Sequence, residues 1–246
     1  MNSFLMLTKK FNTIKNLGYV KGINNNRNSA GSTLENLLGS SGFDFNIPDF
    51  YDIEIKALRK YYSAEFDLFN SSPDGGVVNA IKWLADNYGY PDKDYRHVKV
   101  FKGNVFSNRL STIGHNYLFR LSINKNKERV YLEIVDYEYN LINKEIFWDF
   151  DTLRDKLERK LSKLAVIRFD KKFINNDVYY NFDSVKLYKL ISFDRFIECI
   201  NKGYVYVTFK SGVFKKGKYT GKFTDHGTSF RISIQNIEEL FKSVVL

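Results

Sequence analysis

Residues 48–56 read Pro48-Asp-Phe-Tyr-Asp-Ile-Glu-Ile-Lys56, and this stretch combines the pattern of a β-strand with closely spaced charges. Apolar and charged residues alternate with a period of two, which predicts a strand. Because alternate strand residues share a face, Asp52, Glu54 and Lys56 should point one way and the two isoleucines between them into a core. Charged groups are costly to bury without partners, so we expect this face to meet a metal ion, a ligand or solvent.

Two carboxylates followed by a lysine are typical of metal-dependent nucleases. Phosphodiester hydrolysis needs carboxylates that share a hard divalent ion and a cation near the attacking water. Glu54 and Lys56 supply the second acid and the cation. The first acid is either Asp49 or Asp52, and strand parity alone favours Asp52.

The chain carries a second copy of this pattern of residue types, Asp151 followed by Glu158-Arg159-Lys160. Leucines recur there at helical spacing, and two helix residues two positions apart lie about 200° apart around the axis. Glu158 and Lys160 should therefore not converge on one ion. We interpret this second copy as a solvated helix face.

The composition indicates a folded and basic protein. The chain has 246 residues, of which 43% are hydrophobic and 17% aromatic, and this excludes a disordered chain. Its 38 Lys and Arg against 28 Asp and Glu give a net charge of +10, which suggests a polyanionic partner. Lysine-rich proteins from AT-rich genomes are also basic without such a partner, so the charge does not decide the function alone.

Three further features restrict the class of protein. Cys199 is the only cysteine, which excludes an internal disulfide and a cysteine-built zinc site. No apolar run approaches the roughly 20 residues of a membrane span, so we expect no membrane. The start lacks the charged lead and long apolar core of a signal peptide, so we expect the cytoplasm.

The segment Ser32-Thr-Leu-Glu35 has the pattern of a capping box, which predicts a helix that begins at Ser32 and ends near Gly39. In that interpretation Glu35 reaches back to the first turn of the helix. The functional alternative is that Glu35 is a third acid facing the metal site.

Two blocks of sequence resemble one known family. Gly31-Ser-Thr-Leu-Glu-Asn-Leu-Leu-Gly39, followed by the stretch 48–56, resembles the opening of the MvaI/BcnI restriction endonucleases, relatives of the mismatch-repair nicking enzyme MutH. Lys222-Phe-Thr-Asp-His-Gly-Thr-Ser-Phe-Arg-Ile232 resembles the same family near its C-terminus. The resemblance runs from about residue 20 to about residue 235.

The resemblance implies an α/β fold of the PD-(D/E)xK type, in which helices flank a mixed sheet and two lobes surround a DNA cleft. We expect one two-lobed nuclease domain over residues 1–246, with a catalytic lobe over about 20–165 and a DNA-recognition lobe over about 166–246. The implied activity is Mg²⁺-dependent, type II cleavage of double-stranded DNA at a short sequence, with one or two ions per site.

The resemblance also implies a monomer that nicks the two strands in turn. A cognate DNA methyltransferase is implied functionally, without a stable complex. Two alternatives stay open: a MutH-like endonuclease that nicks one strand only, and a sequence-specific DNA-binding protein whose metal site is idle. The intact set of two acids and a lysine argues against the second alternative.

The resemblance implies a catalytic set of three acids, one lysine and one backbone carbonyl: Asp49, Glu54, Glu35, Lys56 and Ile55. It assigns the first acid to Asp49, against the strand parity that favours Asp52. Asp49, Glu54 and the carbonyl of Ile55 would hold the metal, and Lys56 would orient the water or help to deprotonate it. The helix acid would assist a second ion.

A second set of residues is expected to contact DNA: His97, Lys210, Lys218, Lys222, Asp225, His226 and Arg231. Lysines alternate with glycines between Lys210 and Lys222, which suits phosphate contacts. Beyond a turn at Asp225-His-Gly227, Arg231 should point outward, and an Arg beside Asp and His can read base edges. The resemblance places a histidine-bearing segment, here that of His97, against the bases.

The recognition strand departs from the family pattern at two positions. Where the resemblance implies an acid and an arginine, this chain has Thr208 and Lys210. The recognition sequence is therefore left open, rather than set to the CC-(A or T)-GG or CC-(C or G)-GG sites of family members.

Overall fold

The computed structural model describes residues 2–26, 28–39, 48–61 and 64–245. Its helices are α1 (Ser3–Asn16), α2 (Ser29–Leu38), α3 (Ala80–Tyr88), α4 (Phe150–Leu161), α5 (Phe193–Asn201) and α6 (Ile237–Leu240), with a 3₁₀ turn at Ile234–Asn236. The predicted α/β class is confirmed. No helix in the described part of the chain is long and apolar enough to cross a membrane.

The strands share several sheets. They are β1 (Tyr19–Lys21), β2 (Ile53–Arg59), β3 (Glu65–Asn70), β4 (Tyr90–Pro91), β5 (Lys99–Val100), β6 (Lys102–Val105), β7 (Ser111–Thr112), β8 (Leu118–Asn124), β9 (Arg129–Val135), β10 (Leu141–Asn143), β11 (Phe147–Asp149), β12 (Lys163–Ile174), β13 (Asp177–Leu190), β14 (Val205–Val213), β15 (Phe223–Ser233) and β16 (Phe241–Val244).

The first of two compact units contains residues 1–66, 156–192 and 234–246. Its sheet has the order β1-β13-β12-β2, with β16 beside β13. The sheet is mixed, because β12 runs parallel to β2 and antiparallel to β13. The strand β2 is the one that the stretch 48–56 predicts.

Helices α1 and α2 cover this sheet through apolar side chains at helical spacing. Leu7, Phe11 and Ile14 of α1 are buried, as is Leu34 of α2. Ile53 and Ile55 of β2 join the same core, as the alternation predicts. Burying an aliphatic side chain of this size stabilises the fold by about 1.5–3 kcal/mol, so this packing fixes the register of β2.

The second unit contains residues 67–155 and 193–233. One of its sheets has the order β3-β15-β14-β6, and another has the order β10-β9-β8-β7 with β11 beside β9. Trp148 is fully buried between aromatic rings and donates its indole N–H to the Ser71 carbonyl at 3.0 Å. The polar edge of the ring is therefore satisfied inside an apolar core.

These units differ from the lobes expected from the sequence. The expected boundary near residue 165 falls inside β12, whose pairing with β2 makes it part of the first unit. Residues 67–155, expected in the catalytic lobe, belong to the second unit instead. The sheets join strands far apart in sequence, so no single cut along the chain separates the two units.

The prediction of a capping box at Ser32 is wrong. Helix α2 begins three residues earlier, at Ser29, with Asn28 as its N-cap, so Ser32 and Glu35 lie inside the helix. Ser29 is fully buried, and Thr33 donates its hydroxyl to the Ser29 carbonyl at 2.6 Å. Packing of this first turn overrides the local capping signal. The expected end is confirmed, since Gly39 takes a left-handed φ of 69°.

Candidate functional site

The chain reverses direction just before β2, and this reversal positions the first acid. Phe50 and Ile53 exchange two backbone hydrogen bonds, of 3.0 and 2.9 Å. Tyr51 and Asp52 form the turn between them, and Tyr51 takes a left-handed φ of 55°, a conformation that costs a non-glycine residue about 1–3 kcal/mol. The reversal returns Asp49 to the strand, where its Oδ2 accepts the backbone N–H of Ile55 at 2.8 Å.

Asp52 lies in a different environment from Glu54. Partial burial acts to raise the pKa of Asp52, but hydrogen bonds from Lys163 and Ser3 and the charge of Lys163 together outweigh it and lower the pKa. The structure thus brings Asp49 next to Glu54, while Asp52 pairs with Lys163 at the turn. Strand parity could not find this, because Asp49 reaches the site from the other arm of the reversal.

Glu54 is the centre of the acid site, and it is almost completely buried, with 1% of its surface exposed. Its Oε1 accepts from Lys56 Nζ at 2.6 Å and lies 3.4 Å from Lys160 Nζ. Its Oε2 is buried and has no hydrogen-bond partner among the described residues. Burial raises the pKa of Glu54, the charge of Asp49 raises it further, and the two lysines act against both.

Glu35 is the third acid of this site. It projects half-buried from α2, and burial, followed by the charges of Asp49 and Glu54, raises its pKa. Repulsion from the neighbouring acids thus disfavours the ionised forms of Glu35 and Glu54. We call this set of Glu35, Asp49, Glu54, Lys56 and Lys160 the acid site.

Lys160 is the member of the acid site that the sequence analysis missed. The helix prediction there is right, and Glu158 is exposed as expected. Lys160 is instead mostly covered, with 17% of its side chain exposed, and it turns toward Glu54. Its place next to the buried Leu161 was the available signal, since a residue that flanks an apolar stripe is partly buried.

One sheet face of the second unit contains two of the residues expected to contact DNA, Lys210 and Arg231. In β14 and β15, Thr208 lies opposite Ser229 and Tyr206 opposite Arg231, so these four side chains share one face of the sheet. Phe230 alternates with them and is fully buried on the other face. The register thus places Arg231 on the face opposite Phe230, as the alternation predicts, and 23% of its side chain is exposed although Tyr206 and Thr208 beside it are buried.

Asp67 of β3 organises this polar face. Its Oδ2 accepts from Lys210 Nζ at 2.6 Å, and its Oδ1 lies 2.8 Å from Arg231 Nε and 3.3 Å from Ser229 Oγ. Ser229 is fully buried, although its outward parity predicted exposure. We call Asp67, Lys210, Ser229 and Arg231 the Asp67 cluster.

The sequence predicted a turn at Asp225-His226-Gly227, and this prediction is wrong. The segment forms a bulge inside β15. Phe209 pairs with Thr228 and Ser211 with Asp225, so two residues of β15 lie opposite Lys210 alone. Gly227 takes a φ of 85° there, and its N–H donates to Asp225 Oδ1 at 2.7 Å. A bulge re-aims neighbouring side chains, and it leaves Asp225 and His226 exposed beside the Asp67 cluster.

Comparisons with known proteins identify the family of the chain. The family model described as the MvaI/BcnI restriction endonuclease family matches residues 8–241. The chain belongs to the MvaI/BcnI restriction endonuclease family. An enzyme of this family is a site-specific deoxyribonuclease. By sequence, no curated protein matches the chain.

Two solved structures are similar over the full length of the chain. A restriction endonuclease MvaI–cognate DNA substrate complex has 29% sequence identity and a TM-score of 0.87, with 100% of both chains covered. Restriction endonuclease MvaI in the absence of DNA has 28% identity and a TM-score of 0.64, with 100% of this chain and 98% of that chain covered. These similarities confirm the fold expected for a restriction endonuclease of this family.

The acid site of this restriction endonuclease fits a hard divalent cation. The described residues contain no group of three or more acid, His or Cys side chains already placed to hold a metal. The expected ligand set needs only the carboxylates of Asp49 and Glu54 with the carbonyl of Ile55. Oxygen donors suit Mg²⁺, and the buried Glu54 Oε2 lacks a partner among the described residues.

The lysine-rich hairpin between β14 and β15 presents several exposed cations. Lys218 and Lys222 are exposed, as predicted for phosphate contacts. Lys215 instead binds Asp92 at 2.6 Å and Asp94 at 3.0 Å, which ties the hairpin to the loop that leads to His97. His97 is exposed, beside Tyr95.

Proposed function

We propose that this chain is a Mg²⁺-dependent type II restriction endonuclease that cleaves double-stranded DNA at a short specific sequence. We further propose that it acts in the cytoplasm as a monomer that nicks the two strands in turn, alongside a separate methyltransferase. One observation carries the proposal: Glu54 is buried between two lysines and beside Asp49, with one carboxylate oxygen left for a cation. The MvaI–cognate DNA complex among the similar structures supports duplex DNA as the substrate.

Asp49, Glu54 and the carbonyl of Ile55 would hold the ion, and Glu35 would assist a second ion. Bound Mg²⁺ would supply Lewis-acid stabilisation of the charge that develops on the scissile phosphate. Because the backbone N–H of Ile55 fixes the Asp49 carboxylate, this ligand is oriented before the ion arrives. Lys56 lies next to the same acids, where its ammonium group can orient the attacking water or help to remove its proton.

The expected role of Lys160 follows from its distance to Glu54. Two ammonium groups near Oε1 partly offset the repulsion among Glu35, Asp49 and Glu54. A divalent ion held by Asp49 and Glu54 would supply that compensation, and the Lys160 ammonium would then be placed to attract the negative charge of the scissile phosphate. We assign Lys160 a role in binding that phosphate.

The direct test is to incubate the purified protein with supercoiled plasmid and Mg²⁺, and to sequence the DNA ends. We expect linear products with one shared sequence at their ends, formed through an open-circle intermediate, and no cutting in EDTA. Accumulation of open circles alone would favour the nicking alternative. Specific binding without any cut under all metal conditions would favour the idle-site alternative, and cutting in EDTA would overturn the metal mechanism.

A further inference from the structure

We propose that Asp67 is a positioning residue for sequence discrimination, and that it holds Arg231 and Lys210 as one unit that reads a guanine edge. The inference rests on the proposed function, because it assumes that the polar face of β14 and β15 meets DNA. It adds a residue outside the expected recognition set. Asp67 itself would act through the two cations rather than by contacting a base.

The geometry joins three neighbouring strands at one carboxylate. Asp67 lies on β3, Arg231 on β15 and Lys210 on β14, in the order in which these strands pair. The two carboxylate oxygens of Asp67 contact different cations. Oδ1 lies 2.8 Å from Arg231 Nε, and Oδ2 lies 2.6 Å from Lys210 Nζ. The hydroxyl of Ser229 lies 3.3 Å from Oδ1. The hydrogen bond from Lys210 orients the carboxylate, and its charge attracts both cations to one place on the sheet.

The contact at Nε matters for recognition. An arginine reads guanine with the two parallel N–H groups of its planar fork, which meet O6 and N7. Asp67 Oδ1 lies at ion-pair distance from Nε, 2.8 Å, without forming a hydrogen bond with it. The carboxylate would therefore restrict the position of the fork through its charge before DNA arrives. Ordering the side chain in advance reduces the entropy lost on binding. Position and plane both matter for a bidentate contact, so we expect discrimination to depend on Asp67.

The bulge supports the same interpretation for Lys210. Lys210 is the single residue of β14 that lies opposite His226 and Gly227 of the bulged strand. The irregular ladder there would leave a long lysine side chain with several orientations. The contact with Asp67 selects one of them, and 28% of the Lys210 side chain stays exposed.

The charges of the Asp67 cluster predict in which direction non-specific DNA binding should change, which a purely structural role would not. Asp67 carries one negative charge between two positive charges, so the cluster has a net charge of about +1 rather than +2. Removal of the negative charge frees one more cation for phosphates, and each added phosphate contact steepens the salt dependence of binding by about 0.9 in log–log slope. Asp67→Asn should therefore bind non-specific DNA more tightly and discriminate less.

The experiment compares Asp67→Asn with the wild type and with Asp149→Asn. Asp149 is a matched control, since its side chain is 40% exposed, like that of Asp67, and it pairs with Arg129 at 2.7 Å. The recognition sequence would first be defined with a random duplex library. Cleavage of the cognate duplex and of singly substituted duplexes would then be measured, together with salt-dependent binding of a duplex without the site.

We expect Asp67→Asn to lose discrimination by roughly tenfold at one G·C position, and to steepen the salt slope by about 0.9. Asp149→Asn should keep the discrimination of the wild type. Unchanged discrimination in Asp67→Asn would overturn the inference, as would an equal loss in the two variants. If the wild type shows neither cutting nor DNA binding, the proposed function fails rather than the role of Asp67.

A second variant keeps the test decisive if Asp67→Asn does not fold. Asp67→Glu keeps the charge but moves the carboxylate by one methylene group. Loss of discrimination with the salt slope of the wild type would support a positioning role. Full discrimination in Asp67→Glu and a lower thermal midpoint as its only change would overturn the inference.

Discussion

Two carboxylates in this chain each lie between two cationic side chains, and they differ mainly in their exposure. Glu54 contacts Lys56 and lies near Lys160 with 1% of its surface exposed. Asp67 contacts Lys210 and Arg231 with 40% of its side chain exposed. A similar combination of charges is therefore almost fully buried at Glu54 and partly exposed at Asp67. Glu133, between Arg120 and Lys144, is also buried, but both of its oxygens accept hydrogen bonds.

Burial decides what each arrangement can do. Burying a charged carboxylate away from water costs free energy, and this burial raises the pKa of Glu54. An unpartnered oxygen at such a site is satisfied best by a metal ion, which makes Glu54 suitable for chemistry. The Asp67 cluster is partly exposed, so salt and water screen its pairs more than those of Glu54, and its cations can be exchanged for DNA contacts.

The largest expected effect lies in the buried site. Glu54→Ala and Asp49→Asn should each lower cleavage on the order of 10³-fold or more, because each removes a ligand of the ion that stabilises the transition state. DNA binding in Ca²⁺ should stay within about tenfold of the wild type, since these acids do not contact bases.

Asp52→Asn is the matched control for this prediction, since Asp52 pairs with Lys163 at the turn. It should keep most of the activity. Single-turnover cleavage rates would decide the matter. A dead Asp52→Asn together with an active Asp49→Asn would reverse the assignment of the first acid.

Lys160 offers a second test of the buried site. Lys160→Met should lower the cleavage rate roughly 10²-fold, because a cation near the scissile phosphate stabilises charge in the transition state. Lys160→Arg should restore part of that rate. Lys160→Met should bind Mn²⁺ in the absence of DNA at least as well as the wild type, since one cation fewer competes for Glu54, whereas Lys160→Arg keeps that competing charge.

Glu158→Gln is the control on the exposed side of the same helix, and it should behave as the wild type does. Mn²⁺ affinity by calorimetry, with single-turnover rates, separates the two roles of Lys160. If Lys160→Met cuts at the normal rate and only melts at a lower temperature, Lys160 has a structural role alone.

The two sites also differ in how much of them the sequence could predict. Local patterns predicted β2, its core isoleucines and the leucine helix α4, because periodicity depends on neighbours along the chain. Asp49 required the resemblance, since a turn with a left-handed Tyr51 has no signal in strand parity. Lys160 and Asp67 reach their partners across elements distant in sequence, and no local pattern specifies which strand or helix will lie beside them.

Arg231 tests the exposed cluster. Arg231→Ala should reduce discrimination between cognate and singly substituted sites by roughly 10- to 150-fold, the value of one bidentate contact to guanine. Non-specific affinity should change by about one phosphate contact. Arg231 is also paired with Asp67, so a structural role is the competing explanation. In that case the variant would melt at a lower temperature and keep its sequence preference.

The smallest expected effect belongs to the lysine hairpin, outside both clusters. Lys218 and Lys222 are exposed and lie near the ring of Tyr219. Changing both to Ala should weaken binding to all duplexes alike and flatten the salt dependence by roughly 0.9 in log–log slope for each lost phosphate contact.

The Lys215→Ala variant is the informative comparison, because Lys215 is held by Asp92 and Asp94. It should leave the slope nearly unchanged and instead loosen the hairpin. Fluorescence anisotropy over a range of salt concentrations measures all of these slopes. A sequence-selective defect in the double variant would instead assign Lys218 and Lys222 to base recognition. The surface that reads the DNA sequence would then include the hairpin as well as the Asp67 cluster.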